Sequence, residues 1–261
     1  MPCEVSCSAL GGSAEGMAAS EPGVPRSGLL RVGTWNVSHW SVERAVVVYQ
    51  DIAFDVLAVQ ETHLAVHPLE RARSQAQTLG LQLHHGRPVR PVGSSDHGKS
   101  CGVGFVAAPG VALSPVVPVG AAWRMLHALC RLHAVSLPPR SGLPHGLLLV
   151  SLYAPLPTQQ LERNRFNLAF QELCHTLDMQ RPTMLLGDFN GALNPACDYQ
   201  AESGRRRSPC PLLAALLGPG SPWVDVQASM LQPPLAWTYT NFDSQGRCSA
   251  SRIDLILRLF G

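Results

Sequence analysis

Along this chain short runs of alternating or continuous apolar residues are interrupted by Gly, Pro and polar clusters, and other stretches repeat apolar residues at helical spacing. Runs over 29–37 and 55–60 predict two strands, with a helix over 41–52 between them that puts Val42, Val46, Tyr49 and Ala53 on one face. A helix over 69–79 follows, and the Gly/Pro/His-rich stretch 84–100 predicts a surface loop. β-Branched or leucine-rich runs over 101–107, 128–136 and 147–153 predict three more strands separated by Pro/Gly turns, so the sheet is mixed rather than parallel throughout. Thr158 is placed to cap a long helix carrying Phe166, Ala169, Phe170, Leu173 and Leu177, which Pro182 ends before a strand over 183–186. A loop with Arg205, Arg206 and Arg207, a short helix over 211–217 and strands over 237–242 and 252–259 complete the pattern, and no internal repeat is present.

Composition changes this picture at one end. Residues 1–28 are rich in Gly, Ser, Ala, Pro and Glu and poor in β-branched and aromatic residues, which predicts a flexible leader ahead of a single α/β domain over 29–261. With 46% hydrophobic residues and a net charge of +2, the chain is an ordinary globular one whose charge alone does not announce a nucleic-acid binder. The eight cysteines show no zinc-site spacing and read as reduced thiols, which together with the lack of a signal sequence or a long apolar run predicts an intracellular protein, nuclear or cytoplasmic, without membrane insertion.

Candidate chemistry gathers where apolar runs stop. Asn36 ends Val32-Gly33-Thr34-Trp35, Glu61 follows Leu57-Ala58-Val59-Gln60, Tyr153 follows Leu148-Leu149-Val150-Ser151-Leu152, Asp188 and Asn190 follow Met184-Leu185-Leu186-Gly187, and Asp254 is embedded in Arg252-Ile253-Asp254-Leu255-Ile256-Leu257. Strand ends are where α/β proteins gather ligand-binding groups from distant sequence. Three carboxylates and two carboxamides there suit a hard cation such as Mg²⁺, which takes few protein carboxylates, several waters and a substrate phosphate. An ionised Asp188 is placed to orient or deprotonate a water, with Asn190 holding the water or the phosphate.

Taken in order, Thr34-Trp35-Asn36, Gln60-Glu61-Thr62, Tyr153-Ala154-Pro155, Gly187-Asp188-Phe189-Asn190 and Ser251-Arg252-Ile253-Asp254 resemble the motif series of the endonuclease/exonuclease/phosphatase superfamily. The resemblance implies an α/β fold of two sheets packed as a four-layer sandwich of the deoxyribonuclease/abasic-endonuclease type, hydrolysing phosphate esters with Mg²⁺ or Mn²⁺ and no small-molecule cofactor. It implies Glu61 as metal ligand with Asn36 beside it, Tyr153 on the scissile phosphate, and Asp188 and Asn190 placing water and phosphate. Asp254 would be the carboxylate that pairs with a catalytic histidine.

The resemblance places that histidine in a Ser-Asp-His tripeptide beyond the Arg-Ile-Asp strand, whereas Gly261 lies seven residues after Asp254, so the expectation is a domain without its last strand. Ser95-Asp96-His97 falls between the wrong motifs, and His39, His63, His84 and His85 read as surface or core histidines. Trp223-Val224-Asp225-Val226 followed by Trp237-Thr238-Tyr239-Thr240 looks most like the endonuclease domains of non-LTR (LINE-type) retrotransposons, which nick DNA, with Thr238 as a DNA contact. DNA is the expected partner. The alternatives are a non-catalytic remnant that binds nucleic acid or protein, and an abasic-site endonuclease or phosphatase of the same fold.

Overall fold

The computed structural model describes residues 5–9, 30–41, 54–88, 101–140, 143–177, 181–193, 199–201, 209–230, 239–242, 248–251 and 254–259. Along the chain run β1 (Val5–Ala9), β2 (Leu30–Asn36), β3 (Val56–Gln60), α1 (Val66–Thr78), β4 (Gln82–His85), β5 (Val103–Ala107), β6 (Ser114–Pro115), α2 (Ala121–Ala128), β7 (Leu132–Leu137) and β8 (Leu147–Tyr153). Then follow α3 (Gln160–Thr176), β9 (Thr183–Asp188), β10 (Tyr199–Ala201), α4 (Pro211–Leu216), β11 (Trp223–Asp225), α5 (Val226–Met230), β12 (Tyr239–Phe242), β13 (Cys248–Ser251) and β14 (Asp254–Leu259).

Among the described residues these strands form one sheet in the order β1-β2-β3-β5-β4, a second in the order β11-β14-β9-β8-β7-β6, and a small one in the order β10-β13-β12. Both large sheets mix parallel and antiparallel pairs, β2 with β3 and β8 with β9 being parallel. Period-two alternation sorts each strand between two layers. Leu30, Val32, Val56, Ala58 and Phe105 of the first sheet meet Val135, Leu137, Leu147, Leu149, Met184, Leu186 and Ile256 of the second in the inter-sheet core. The alternate residues Leu57, Val59 and Val106 pack under α1, against Leu69, Ala72 and Ala76. On the far side Leu148, Val150, Leu152, Leu185 and Leu257 pack under α2, α3 and α4. The result is the four-layer α/β sandwich expected from the motifs.

Several boundaries depart from the sequence reading. Thr158 does not cap the long helix: α3 starts at Gln160, with Gln159 at the cap position and no side-chain cap bond. His84 and His85 are not loop residues but end β4, because Leu83 and His85 alternate inward and their neighbours outward. The run over 128–136 mixes two elements, since Ala128 ends α2 and the strand is Leu132–Leu137. In the segment expected as a leader, Val5–Ala9 pairs in parallel with β2. The strands bearing Asn36 and Asp254 are therefore paired on both sides, β2 by β1 and β3, β14 by β11 and β9. Residues 42–52 of the expected helix, Ser95-Asp96-His97, Arg205–207 and Thr238 lie outside the described residues.

Candidate active site

The strands share one end. The carboxyl ends of β2, β3, β8 and β9 meet there with the amino ends of β5, β7 and β14, as the registers Asn36↔Gln60, Gln60↔Val103, Leu132↔Leu152, Tyr153↔Asp188 and Asp254↔Asp188 require. Asn36, Tyr153 and Asp188 each lie two residues beyond an inward-facing position, at Thr34, Ser151 and Leu186, so the same alternation that builds the core delivers them to its rim.

Asn36 joins the two sheets. Its Nδ2 donates one hydrogen bond to Glu61 Oε1 and one to Asp188 Oδ2, each at 2.9 Å. Its Oδ1 accepts the Ser38 N–H at 2.9 Å, which fixes the orientation of the amide because only the oxygen can accept from a backbone N–H. Glu61 occupies an odd position that alternation would send towards α1, as it does Leu57 and Val59. A left-handed backbone at Glu61, φ 52°, accompanies its turn to Asn36.

The tripeptide around Glu61 is pinned on every side. Thr62 N–H donates to Gly102 O and His63 N–H to Cys101 O, while Thr62 O accepts the Trp40 N–H. The Thr62 hydroxyl lies 2.6 Å from His85 Nε2, and His85 Nδ1 lies 3.1 Å from the Gly86 carbonyl. A carbonyl can only accept, so His85 carries its proton on Nδ1 and takes the Thr62 hydrogen on Nε2. Behind these groups, Thr34 Oγ1 donates to Gln60 Oε1 at 3.2 Å and Gln60 Nε2 donates to Ser151 Oγ at 3.1 Å, a fully buried polar link across the inter-sheet layer.

On the second sheet, Asp188 Oδ1 accepts the Asn190 N–H at 2.7 Å, and Asn190 Nδ2 donates to Ala154 O at 2.7 Å. Gly187 is required just before them, because a Cβ there would stand 1.9 Å from Leu152 O. Arg163 enters from the first turn of α3. Its Nη1 donates to the carbonyls of Pro155 and Asn190, and Nη2 lies 3.3 Å from Cys210 Sγ, so one buried guanidinium ties the turns after β8 and β9 to the helix layer. Arg131 places its guanidinium 4.9 Å from the centre of the Tyr153 ring.

The two carboxylates that share the Asn36 amide are poised in opposite senses. Burial pushes Glu61 up, but His63, the Tyr153 hydroxyl and the Asn36 amide outweigh it and hold the carboxyl below its ordinary value. For Asp188, burial above all, with the Glu61 charge adding to it, prevails over the hydrogen bonds from Asn36 and Asn190 and raises the carboxyl to about 7. Burial, then the hydrogen bond to Glu61 and the charges of Glu61 and Asp188, push the Tyr153 phenol far above its usual range, so it stays a neutral donor.

Strain gathers at this end as well. Ser38, Glu61, His63, Cys130 and Asn190 are the non-glycine residues with positive φ among the described residues; four lie in or beside the turns just named, and Cys130, which precedes Arg131, accepts the N–H of Gly102, the residue whose carbonyl holds Thr62. Such backbone costs roughly 1–3 kcal/mol per residue and persists where surrounding structure enforces it, as at functional sites.

The structure thus brings together Asn36, Glu61, Tyr153, Asp188 and Asn190. The backbone of Asp254 stands in register opposite Asp188. Residues to which the sequence reading gave no site role also serve the site: Arg163, Arg131, Gln60, Ser151 and the Thr62–His85 pair. Arg163 was detectable, since it lies three residues before Phe166 on the apolar stripe of α3, where a charge has to be explained. By contrast, Asp225 of the Trp223-Val224-Asp225-Val226 motif accepts the Ala228 N–H at 3.1 Å at the start of α5, a local capping role.

A sequence model described as the Endonuclease/Exonuclease/phosphatase family matches residues 33–258. No curated protein matches the chain. Among solved structures, an AP endonuclease from Archaeoglobus fulgidus superposes with a TM-score of 0.61 at 16% identity, covering 88% of this chain and 87% of that one. D. rerio TDP2 complexed with a single-strand DNA product gives 0.57 at 14% identity, covering 87% and 82%. The 3′ phosphatase NExo from Neisseria, bound to a product DNA hairpin, gives 0.56 at 19% identity, covering 87% and 86%. At these identities the superpositions establish the shared fold. Among the described residues no helix is long and apolar enough to cross a membrane.

Proposed function

Since the chain belongs to the Endonuclease/Exonuclease/phosphatase family, we propose that it is a metal-dependent phosphodiesterase that nicks DNA, of the kind found in LINE-type retrotransposons. The observation that carries this reading is the Asn36 amide bridging Glu61 of the first sheet and Asp188 of the second. Two buried or half-buried carboxylates on one neutral donor are a concentration of negative charge that a divalent cation would relieve, and that cation would in turn attract a phosphate.

The residues fit Mg²⁺ or Mn²⁺. Their donors are hard oxygens, and among the described residues no cluster of three or more His, Cys, Asp or Glu forms a closed cage, which suits an ion that keeps most of its waters. Glu61, with Asn36 beside it, would hold the ion, which when bound supplies positive charge to the phosphate and the leaving oxygen. Tyr153, kept neutral, offers a hydrogen bond to a phosphate oxygen. Asp188, its two oxygens held by Asn36 and the Asn190 N–H, orients a water and takes its proton as attack proceeds. Asn190 and Arg163 keep the turns bearing Tyr153 and Asp188 in register. The LINE-type assignment rests on the Trp223-Val224-Asp225-Val226 and Trp237-Thr238-Tyr239-Thr240 runs, and Thr238 remains its proposed DNA contact.

Conversion of supercoiled plasmid to nicked circles tests it. The purified chain with Mg²⁺ or Mn²⁺ should nick, chelator should stop it, and Glu61→Gln and Asp188→Asn should each lower the rate by about 100-fold or more. Nicking that survives both substitutions sinks the assignment of roles. Release of a terminal phosphate, or cleavage confined to abasic sites, replaces the plasmid-nicking reading with another activity of the same fold.

A further inference from the structure

His63 stands beside a carboxylate of the site, two residues after it in the chain. Its Nε2 lies 3.7 Å from Glu61 Oε2. That is beyond hydrogen-bonding reach, yet the nitrogen is shielded from solvent and has no hydrogen-bond partner. A buried polar nitrogen without a partner is costly, and a missing ion is among its ordinary explanations. Two donors bound to one divalent ion at about 2.1 Å each stand roughly 3 Å apart at a right angle and about 3.6 Å apart at 120°. The Glu61–His63 gap is therefore too wide for a hydrogen bond and near the span of two ligands on one ion.

The backbone supports this pairing. Glu61 and His63 both hold left-handed conformations, φ 52° and 54°, on either side of Thr62. Thr62 is fixed through its N–H, carbonyl and hydroxyl, and His63 through its N–H, so the strained tripeptide presents both side chains to the same gap by bonds that do not depend on a ligand.

We propose that His63 Nε2 is a second protein ligand for the ion held by Glu61, giving a mixed nitrogen and oxygen site that binds Mn²⁺ in preference to Mg²⁺. The inference rests on reading Glu61 as a metal ligand. Imidazole nitrogen is a donor for first-row transition ions, a series that Mn²⁺ opens as its weakest member, whereas Mg²⁺ prefers oxygen alone, so one nitrogen ligand tilts the site from Mg²⁺ towards Mn²⁺.

Pulsed electron paramagnetic resonance of the full chain titrated with Mn²⁺ tests this without recourse to activity. The bound ion should show modulation from a directly bonded ¹⁴N, which His63→Gln abolishes and His39→Gln leaves intact. His63→Gln should weaken Mn²⁺ binding by roughly tenfold or more and change Mg²⁺ binding by less than about threefold. Bound Mn²⁺ without nitrogen modulation, or modulation that persists in His63→Gln, overturns the His63 assignment while leaving Glu61 as a ligand. Absence of Mn²⁺ binding in the wild-type chain overturns both. Because Glu61→Gln should release the ion altogether, loss of binding there with nitrogen modulation absent in the wild type separates the two failures. Thermal denaturation of His63→Gln in the absence of metal checks that the variant folds.

Discussion

The two ends of the same sandwich are built from the same strands and differ in almost every physical respect. At one end the inter-sheet layer is aliphatic, with Leu30, Val56, Leu137, Leu147 and Met184 closing on one another. At the other, four residues away on those strands, the inward positions are Thr34, Gln60, Ser151 and His133, with Asn36, Tyr153 and Asp188 at the rim. Here lie the left-handed backbones, the orphaned nitrogens of His63 and His133, and a buried carboxyl raised to about 7. The aliphatic end supplies stability and the polar end consumes it, which is the division expected when a rigid core holds a strained constellation in place.

Substitutions at the two ends should separate these roles. The largest loss is expected at Gly187, where strand β9 must pass against Leu152 O; Gly187→Ala should cost about 4 kcal/mol or more, because the obstacle is backbone. Chemical denaturation measures it, and a cost below about 1 kcal/mol would show that the two strands can part without penalty. Next comes the aliphatic end: Leu149→Ala should cost about 3 kcal/mol by cavity formation while leaving divalent-metal affinity unchanged. Metal affinity that falls with it would mean the ends are not separable.

Arg163→Met should follow at about 2 kcal/mol, since it strips the carbonyls of Pro155 and Asn190 of a buried donor. Unlike Leu149→Ala it should also weaken metal binding, because the turns of Tyr153 and Asp188 lose their common tie. Arg163→Lys should recover part of both losses. An Arg163→Met variant with unchanged metal affinity would reduce the arginine to a packing role.

How much of this was legible in the sequence follows from the kind of signal each feature leaves. The layers were legible because alternation is a local signal, and β8 matches its predicted span over 147–153 residue for residue. The convergence of Asn36, Glu61, Tyr153, Asp188 and Asn190 was legible only as an ordered set of motifs, since no single one of them specifies a partner. Illegible were the bonds themselves. Nothing near Asn36 says that its amide reaches a carboxylate 152 positions away, nor that Glu61 needs φ 52° to meet it. His84 and His85 were misassigned because their Gly/Pro/His-rich surroundings outweighed a short alternation that tertiary pairing with β5 makes real. His63 read as one histidine among several because its distinction, a shielded nitrogen facing Glu61, exists only after folding.

At pH 8 the smallest effect expected is a gain. His133 lies inside the polar end, on β7 in register with Ser151 and beside Phe105 and His127, and both its ring nitrogens are buried without a hydrogen-bond partner. Burial first, then the nearby His85 and His127, depress its pKa to about 3. Folded His133 therefore stays neutral where the unfolded chain takes up a proton, so its contribution is intact above about pH 6.5 and is lost as pH falls from there towards about 3. Burial likewise depresses His85, to about 4, and it adds in the same direction. Asp188 acts oppositely: raised to about 7, it favours the metal-free fold while protonated and withdraws that contribution as pH rises from about 4 to about 7. His133→Leu should stabilise the metal-free chain by about 1 kcal/mol at pH 8, where only the orphaned nitrogens are removed. At pH 5 the gain should grow by about 2 kcal/mol, because the variant no longer forgoes a proton that unfolding would bind. Melting curves of both chains across pH 5–8 read the difference directly, and a gain that does not grow on acidification would mean that His133 finds a partner for its charge inside the fold.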